Sequence, residues 1–259
     1  MITGFANITM GTADLGRATE EYQCFLGKPP ARSNANLSEF HLSNLALRLA
    51  QSDQMGIISL GFRVSELERA QVRMQRFGLL NEAGAATDTI KDQEPDQIKL
   101  SADKTRSLSL SITGNTTEVA AQDQAKSDCT DTITGLDHIV IQSENPERTA
   151  FLLSCQLGLD MRLDRTNEAW NARLLFFRCG DAIVEVFHPL KAKERLDRDR
   201  FFGITWRVDD INAAHARLSA SGVAVSEIRP GRKPGTEVFT VKSHASAVPT
   251  LLIGPSGTN

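Results

Sequence analysis

The chain repeats itself, and a repeat constrains architecture before any propensity argument applies. Gly4 to Gly27 lies over Gly135 to Gly158 at one fixed offset of 131 without a gap. Gly4/Gly135, Ile8/Ile139, Arg17/Arg148, Cys24/Cys155, Leu26/Leu157 and Gly27/Gly158 are then identical. A second pair runs from Ser59 and from Gly203 at an offset of 144, matching at Arg63/Arg207, Val64/Val208, Ala70/Ala214, Arg73/Arg217 and Gly78/Gly222. Each segment reads as an alternating apolar run, a polar turn, a stretch of helical period and a closing glycine. In the third, Asn145-Pro146-Glu147 supplies an N-cap candidate, proline at the first helical position and an early acid. Short β-branched or aromatic runs follow each helix, with turns at Gly180-Asp181, at RPGRKPG (229–235) and at SHASA (243–247). The unit is therefore strand, helix, three strands, and the fold class is α+β with four βαβββ modules.

A chain of 259 residues exceeds the usual single core, so roughly two domains are expected. The polar stretch between Gly114 and Thr134 lacks periodic signals and reads as a linker, 114–133, separating domains 1–113 and 134–259. Apolar residues at 41% and charged ones at 24% match a globular protein. The 29 Lys and Arg are interspersed with 32 Asp and Glu, which argues against a nucleic-acid partner. A basic leader followed by an apolar stretch is absent, as is any run near the ~18 apolar residues of a membrane span, so a cytoplasmic location without membrane contact is expected. Four cysteines without a C-x-x-C pair signal neither a zinc cluster nor a disulfide framework. They are expected as buried thiols, with Cys24 and Cys155 packed at matching helix positions. No Walker loop, dinucleotide fingerprint or nucleophile elbow occurs, so no nucleotide cofactor is expected.

Paired βαβββ units, one opened by G-L-D-H-I-V-I (135–141) and closed by A-I-V-E-V-F (182–187), resemble the vicinal oxygen chelate superfamily of glyoxalases, extradiol dioxygenases and bleomycin-resistance proteins. The resemblance implies two glyoxalase-like incomplete barrels, each pairing two modules around a cup. It further implies one divalent metal (Fe, Mn, Zn, Ni or Mg), held from the first and last strands of each module. Carried over one position at a time, the first-strand sites fall on Asn7, Ser59, His138 and Gly203, and the last-strand sites on Arg48, Ser111, Glu185 and Leu251. Only His138 and Glu185 are ligand types, so the N-terminal domain is expected to be a degenerate copy. The third ligand would come from His188 or His244; strand alternation turns His188 away from Glu185 unless a bulge redirects it.

His138 is thus a candidate metal ligand or general base, against the plain alternative of a hydrogen-bonded strand histidine. Glu185 shares a strand face with Ile183 and Phe187, so its carboxylate needs a partner: a ligand role, or a salt bridge to Arg173 or Arg178. Arg229, Arg232 and Lys233 at a hairpin rim are candidates for holding an anion, with Trp170, Asn171 and Arg173 facing them. Trp206, Phe239 and Phe176 read as core or cup wall, and His41 and His215 as surface or structural residues. Two functions follow. The first is a lyase or isomerase of glyoxalase and dioxygenase type, acting in the C-terminal cup on a small oxygenated, anionic metabolite. The second is a metal-free protein that sequesters a small molecule. A monomer or a homodimer suits either.

Overall fold

The computed structural model describes residues 1–80, 97–114, 131–191, 198–242 and 248–257. The first module runs β1 (Ile2–Thr12), α1 (Leu15–Leu26), β2 (Arg32–Ser33), β3 (Leu37–His41) and β4 (Ala46–Gln51). The second holds β5 (Gly56–Val64), α2 (Leu67–Arg76), β6 (Gln97–Lys99) and β7 (Leu110–Thr113). The third is β8 (Ile133–Gln142), α3 (Pro146–Ala150, continued by a π-helical turn Phe151–Gln156), β9 (Asp160–Asn167), β10 (Ala172–Cys179) and β11 (Ala182–Pro189). The fourth is β12 (Arg200–Val208), α4 (Ile211–Ala220), β13 (Arg229–Pro230), β14 (Thr236–Val241) and β15 (Thr250–Pro255). Strand, helix and following strands recur, and after α2 two following strands, β6 and β7, lie among the described residues. The turn at SHASA falls outside the described residues.

The strands form two mixed sheets, ordered β2-β3-β4-β1-β5-β7-β6 and β13-β14-β15-β12-β8-β11-β10-β9. In each, the opening strands of two modules are neighbours, which is the α+β arrangement the repeat implies. Helix α1 starts where Asp14 accepts a hydrogen bond from the Arg17 amide, buries Leu15, Ala18, Tyr22, Phe25 and Leu26 at helical spacing, and closes at Gly27 with φ 76°. Trp206 and Phe239 are fully buried, in keeping with the core role expected of them. Cys24 and Cys155 depart from expectation: both are exposed, and Cys179 is the buried thiol. The expected linker falls largely on residues 115–130, outside the described residues.

The chain divides into two compact units. One comprises Met1–Asn7, Ser59–Thr117 and Val140–Phe201. Here Arg73 of α2 donates to the last carbonyls of the α3 segment, from Nε to Gln156 at 2.9 Å and from Nη2 to Cys155 at 2.6 Å. The Gly180 turn (φ 64°) packs on β1 so closely that a Cβ there would lie 2.6 Å from the Thr3 carbonyl oxygen. The other unit comprises Ile8–Ile58, Glu118–Ile139 and Phe202–Asn259. Arg217 of α4 donates from Nη1 to the Cys24 carbonyl at 2.6 Å and from Nη2 to the Phe25 carbonyl at 3.0 Å. Asn44, at the β3–β4 turn, donates to the Leu136 carbonyl at 2.8 Å and accepts from the Leu136 amide at 2.9 Å.

The last carbonyls of a helix lack internal partners and sit at the negative end of its dipole, so an arginine fork there is doubly favoured. Replacing Arg217 by alanine is therefore expected to cost about 1–3 kcal/mol and lower Tm by several degrees, with partial recovery in Arg217→Lys. Thermal denaturation checks it: an unchanged Tm in Arg217→Ala would remove the capping role.

Candidate functional site

His138 lies on β8, where its side chain retains 20% exposure. Its Nδ1 is 2.9 Å from Asp137 Oδ1, and its Nε2 is 2.9 Å from Thr205 Oγ1 on β12. Burial pushes the Asp137 carboxyl up, but the hydrogen bond and charge of His138, with the charges of Arg207 and Lys233, outweigh this and hold it below its ordinary value. An ionised carboxylate can only accept, so Nδ1–H donates to Asp137; in the neutral ring Nε2 then accepts the Thr205 hydroxyl. Carboxylate, imidazole and hydroxyl thus form one ordered chain. Arg207 extends it, with Nε 3.8 Å from Asp137 Oδ2 and Nη2 donating to the Leu136 carbonyl at 3.1 Å. Thr205 is itself 3% exposed and pairs in register with Leu251.

Glu185 is half-buried on β11 and pairs with Phe176 of β10, which in turn pairs with Leu163 of β9. It belongs to the other unit, so its expected pairing with His138 is a feature of neither unit by itself. Arg173 does not join Glu185. The register sets Arg173 opposite His188 and Glu185 opposite Phe176, three positions along β10, so the two side chains leave opposite faces of the sheet. There Arg173 is held by carboxylates: Nε and Nη2 donate to Asp164 at 2.9 and 2.7 Å, and Nη1 to Glu147 at 2.5 Å. The hydrogen bonds from Arg173 hold both carboxyls low, and those same bonds raise the pKa of Arg173. A guanidinium so engaged is not offered to a substrate. Arg178 Nε makes a weak contact with the Gly180 carbonyl, 3.4 Å.

His188 points away from Glu185, as alternation requires, with Nδ1 2.9 Å from the Ser143 carbonyl oxygen. His244 lies outside the described residues. Trp170, 45% exposed, closes a 3-10 turn between β9 and β10, followed by Asn171 in the left-handed region. Arg229, Arg232 and Lys233 are exposed on the β13–β14 hairpin. Of these, Lys233 has a charge that reaches Asp137.

In the N-terminal half the expected last-strand residue, Arg48, is 2.6 Å from Glu39, its register partner on β3. Arg32 Nη2 donates to the same carboxylate oxygen at 3.0 Å, and His41 Nε2 to the other at 2.9 Å. Glu39, with a side chain 5% exposed, would be pushed up by burial; the charge of Arg48 and the hydrogen bonds of Arg48, His41 and Arg32 instead bring it down to about 2. His41, expected as a surface or structural residue, belongs to this cluster. Asn7 lies buried against Gly61, where a Cβ would meet its amide at 2.9 Å, and Ser111 Oγ accepts from Gln97 at 2.9 Å.

Sequence reasoning missed Asp137, Thr205, Arg207 and Glu39. Adjacent strand residues ordinarily face apart, so alternation hid the Asp137–His138 bond. A metal does not fit the described donors: no three His, Cys, Asp or Glu side chains gather among the described residues, and both ring nitrogens of His138 are engaged. No helix among the described residues is long and apolar enough to cross a membrane.

Residues 137–240 match the family model of the Glyoxalase/Bleomycin resistance protein/Dioxygenase superfamily. No curated protein matches the chain in sequence. Among solved structures, a Mn(II)-bound glyoxalase from Novosphingobium aromaticivorans superposes with a TM-score of 0.73 at 13% identity, over 98% of this chain and 82% of that one. A mutant of 4-hydroxymandelate synthase from Streptomyces coelicolor gives 0.73 at 14% identity, covering 100% and 94%. A catechol 2,3-dioxygenase gives 0.71 at 13%, covering 100% and 90%. At these identities the likeness is one of fold.

The Glu39 cluster sets an acid limit on stability. A carboxyl lowered from 4.5 to about 2 stabilises the fold fully above its unfolded pKa and loses that contribution as pH falls through the folded value. The loss is expected to be of order 3 kcal/mol between pH 5 and pH 1. Denaturant titrations across this range should show a flatter pH dependence in Glu39→Gln; identical slopes would disprove the assignment.

Proposed function

From a chain whose residues 137–240 belong to the glyoxalase, bleomycin-resistance and dioxygenase superfamily and whose whole length shares the vicinal oxygen chelate fold, we propose an enzyme that moves a proton on a small oxygenated anion, as a lyase or isomerase does. The observation that carries this reading is the Asp137–His138–Thr205 chain. His138 Nε2 removes a proton from the carbon next to an oxidised carbon of the substrate. The electron pair left behind moves onto the substrate's oxygen, towards which the Thr205 hydroxyl turns as donor. Asp137 holds the tautomer and stabilises the imidazolium that forms. Returning the proton to the neighbouring carbon, as the hydroxyl on the first carbon passes its own proton to the oxyanion, completes an isomerisation; delivering it to a hydroxide that leaves the next carbon, as the electron pair returns to form the double bond, completes loss of water. Arg207 and Lys233 neutralise the substrate's anionic group, with Arg229 and Arg232 at the rim. Arg173, saturated by Asp164 and Glu147, takes no part, and Glu185 takes no step in this scheme. The scheme fits the domain division proposed from the sequence, 1–113, 114–133 and 134–259, with the working site in the last.

A second reading, metal-free sequestration of a small molecule, is supported by one observation: protein partners satisfy both nitrogens of His138, and Gly203 and Leu251 add no ligand. Deuterium uptake separates the two. Incubated in D2O with a panel of 2-hydroxy and 2-oxo acids, the protein should catalyse exchange that survives chelator. His138→Gln should slow it roughly 10²–10⁴-fold, and Asp137→Asn should shift its pH profile. Calorimetric binding without exchange would establish the second reading; exchange indifferent to His138→Gln would end the first.

A further inference from the structure

We infer that a cavity beside the π-helical turn of α3, lined by none of Asp137, His138 and Thr205, is a second small-molecule site that takes an organic anion with a flat apolar body. The cavity measures about 630 Å³ and lies wholly within the first unit. Asp103, Lys104, Arg106 and Ser107 line it from the segment between β6 and β7; Arg148, Phe151 and Gln156 line it from α3 and its continuation.

Four departures from ordinary structure converge here. The segment Phe151–Gln156 is π-helical, whereas its repeat counterpart α1 is regular throughout. Such turns concentrate at functional sites because they re-aim side chains that a regular helix would direct elsewhere. Arg106 and Ser107 have φ of 57° and 69°, left-handed values that strain a residue with a Cβ. The Arg106 side chain, 10% exposed, forms a buried ion pair from Nε to Asp199 at 3.0 Å, and Thr149 occupies the other oxygen of that carboxylate at 2.7 Å. The Nη2 of Arg106 is nonetheless buried without a hydrogen-bond partner among the described residues. A guanidinium nitrogen so placed is costly unless an acceptor settles against it.

The lining says which acceptor. With Arg106 paired to Asp199 and Glu147 to Arg173, Lys104 and Arg148 stand against Asp103. The balance favours an anion, and a carboxylate or phosphate oxygen suits Lys104, Arg148 and the Ser107 hydroxyl, all on exposed residues of the lining. Phe151 is 52% exposed at the same wall, large apolar surface open to a ring.

The full-length, isotope-labelled protein should be titrated with phenyl phosphate, benzoate and inorganic phosphate and followed by amide resonances. Saturable shifts confined to residues 103–107 and 147–156 are expected with at least one aromatic probe. Whichever of phenyl phosphate and benzoate binds more tightly identifies the headgroup, and inorganic phosphate should bind at least about tenfold more weakly because it cannot use Phe151. Phe151→Ala and Arg148→Glu, both at exposed positions, should each weaken binding about tenfold with Tm unchanged. His138→Gln should leave it intact, which separates this site from the proposed catalytic one. Shifts that do not saturate, equal affinity in all variants, or shifts centred on residues 137–138 and 205–207 would overturn the assignment.

Discussion

Two arginines at equivalent positions of the repeat finish two helices that are not their own. Arg73 binds the carbonyls of Cys155 and Gln156, and Arg217 those of Cys24 and Phe25. Each unit is thereby held by a cation lodged at the negative end of a helix dipole, where carbonyls without internal partners await a donor. The planar guanidinium spans two carbonyls at once, which a lysine cannot do with the same geometry. Matching pairs of turns against strand starts, Gly180 on Thr3 and Asn44 on Leu136, sit around these bonds. Cys24 and Cys155 meet these arginines through their backbone carbonyls alone, and both thiols face solvent.

On this scaffold the two halves manage buried polarity differently. The N-terminal half sinks a carboxylate, Glu39, and surrounds it with Arg48, Arg32 and His41, a self-contained cluster that leaves the acid no free oxygen to offer a cation. The C-terminal half strings Asp137, His138 and Thr205 into a chain with a defined proton direction. A strongly paired carboxylate stabilises the fold but does little chemistry; an imidazole held between an acceptor and a hydroxyl can take up a proton once that hydroxyl turns to another acceptor.

Strand parity explains most of what was legible about the site. His188 was placed on the face away from Glu185 because β11 is regular and side chains alternate. The same rule, run back through the Gly180-Asp181 turn, pairs Arg173 with His188 and Phe176 with Glu185, which takes Arg173 out of the site. Its carboxylate partners were not legible: Asp164 lies on the next strand and Glu147 on a helix. Asp137 was missed for the opposite reason, since parity sends neighbours to opposite faces and the observed bond joins neighbours.

By itself the sequence determined the four modules, their order of strand and helix, the closing glycines and the arginines that recur with them. These follow from local periodicity and from identities at a fixed offset, which need no knowledge of where a segment ends up. Only the tertiary structure decided which helix each arginine finishes, which carboxylates saturate Arg173 and Glu39's partners, and that Thr205 completes the His138 chain. Those outcomes depend on side chains brought within 3 Å from positions far apart along the chain, where the balance of desolvation against pairing is set by neighbours that no local pattern names.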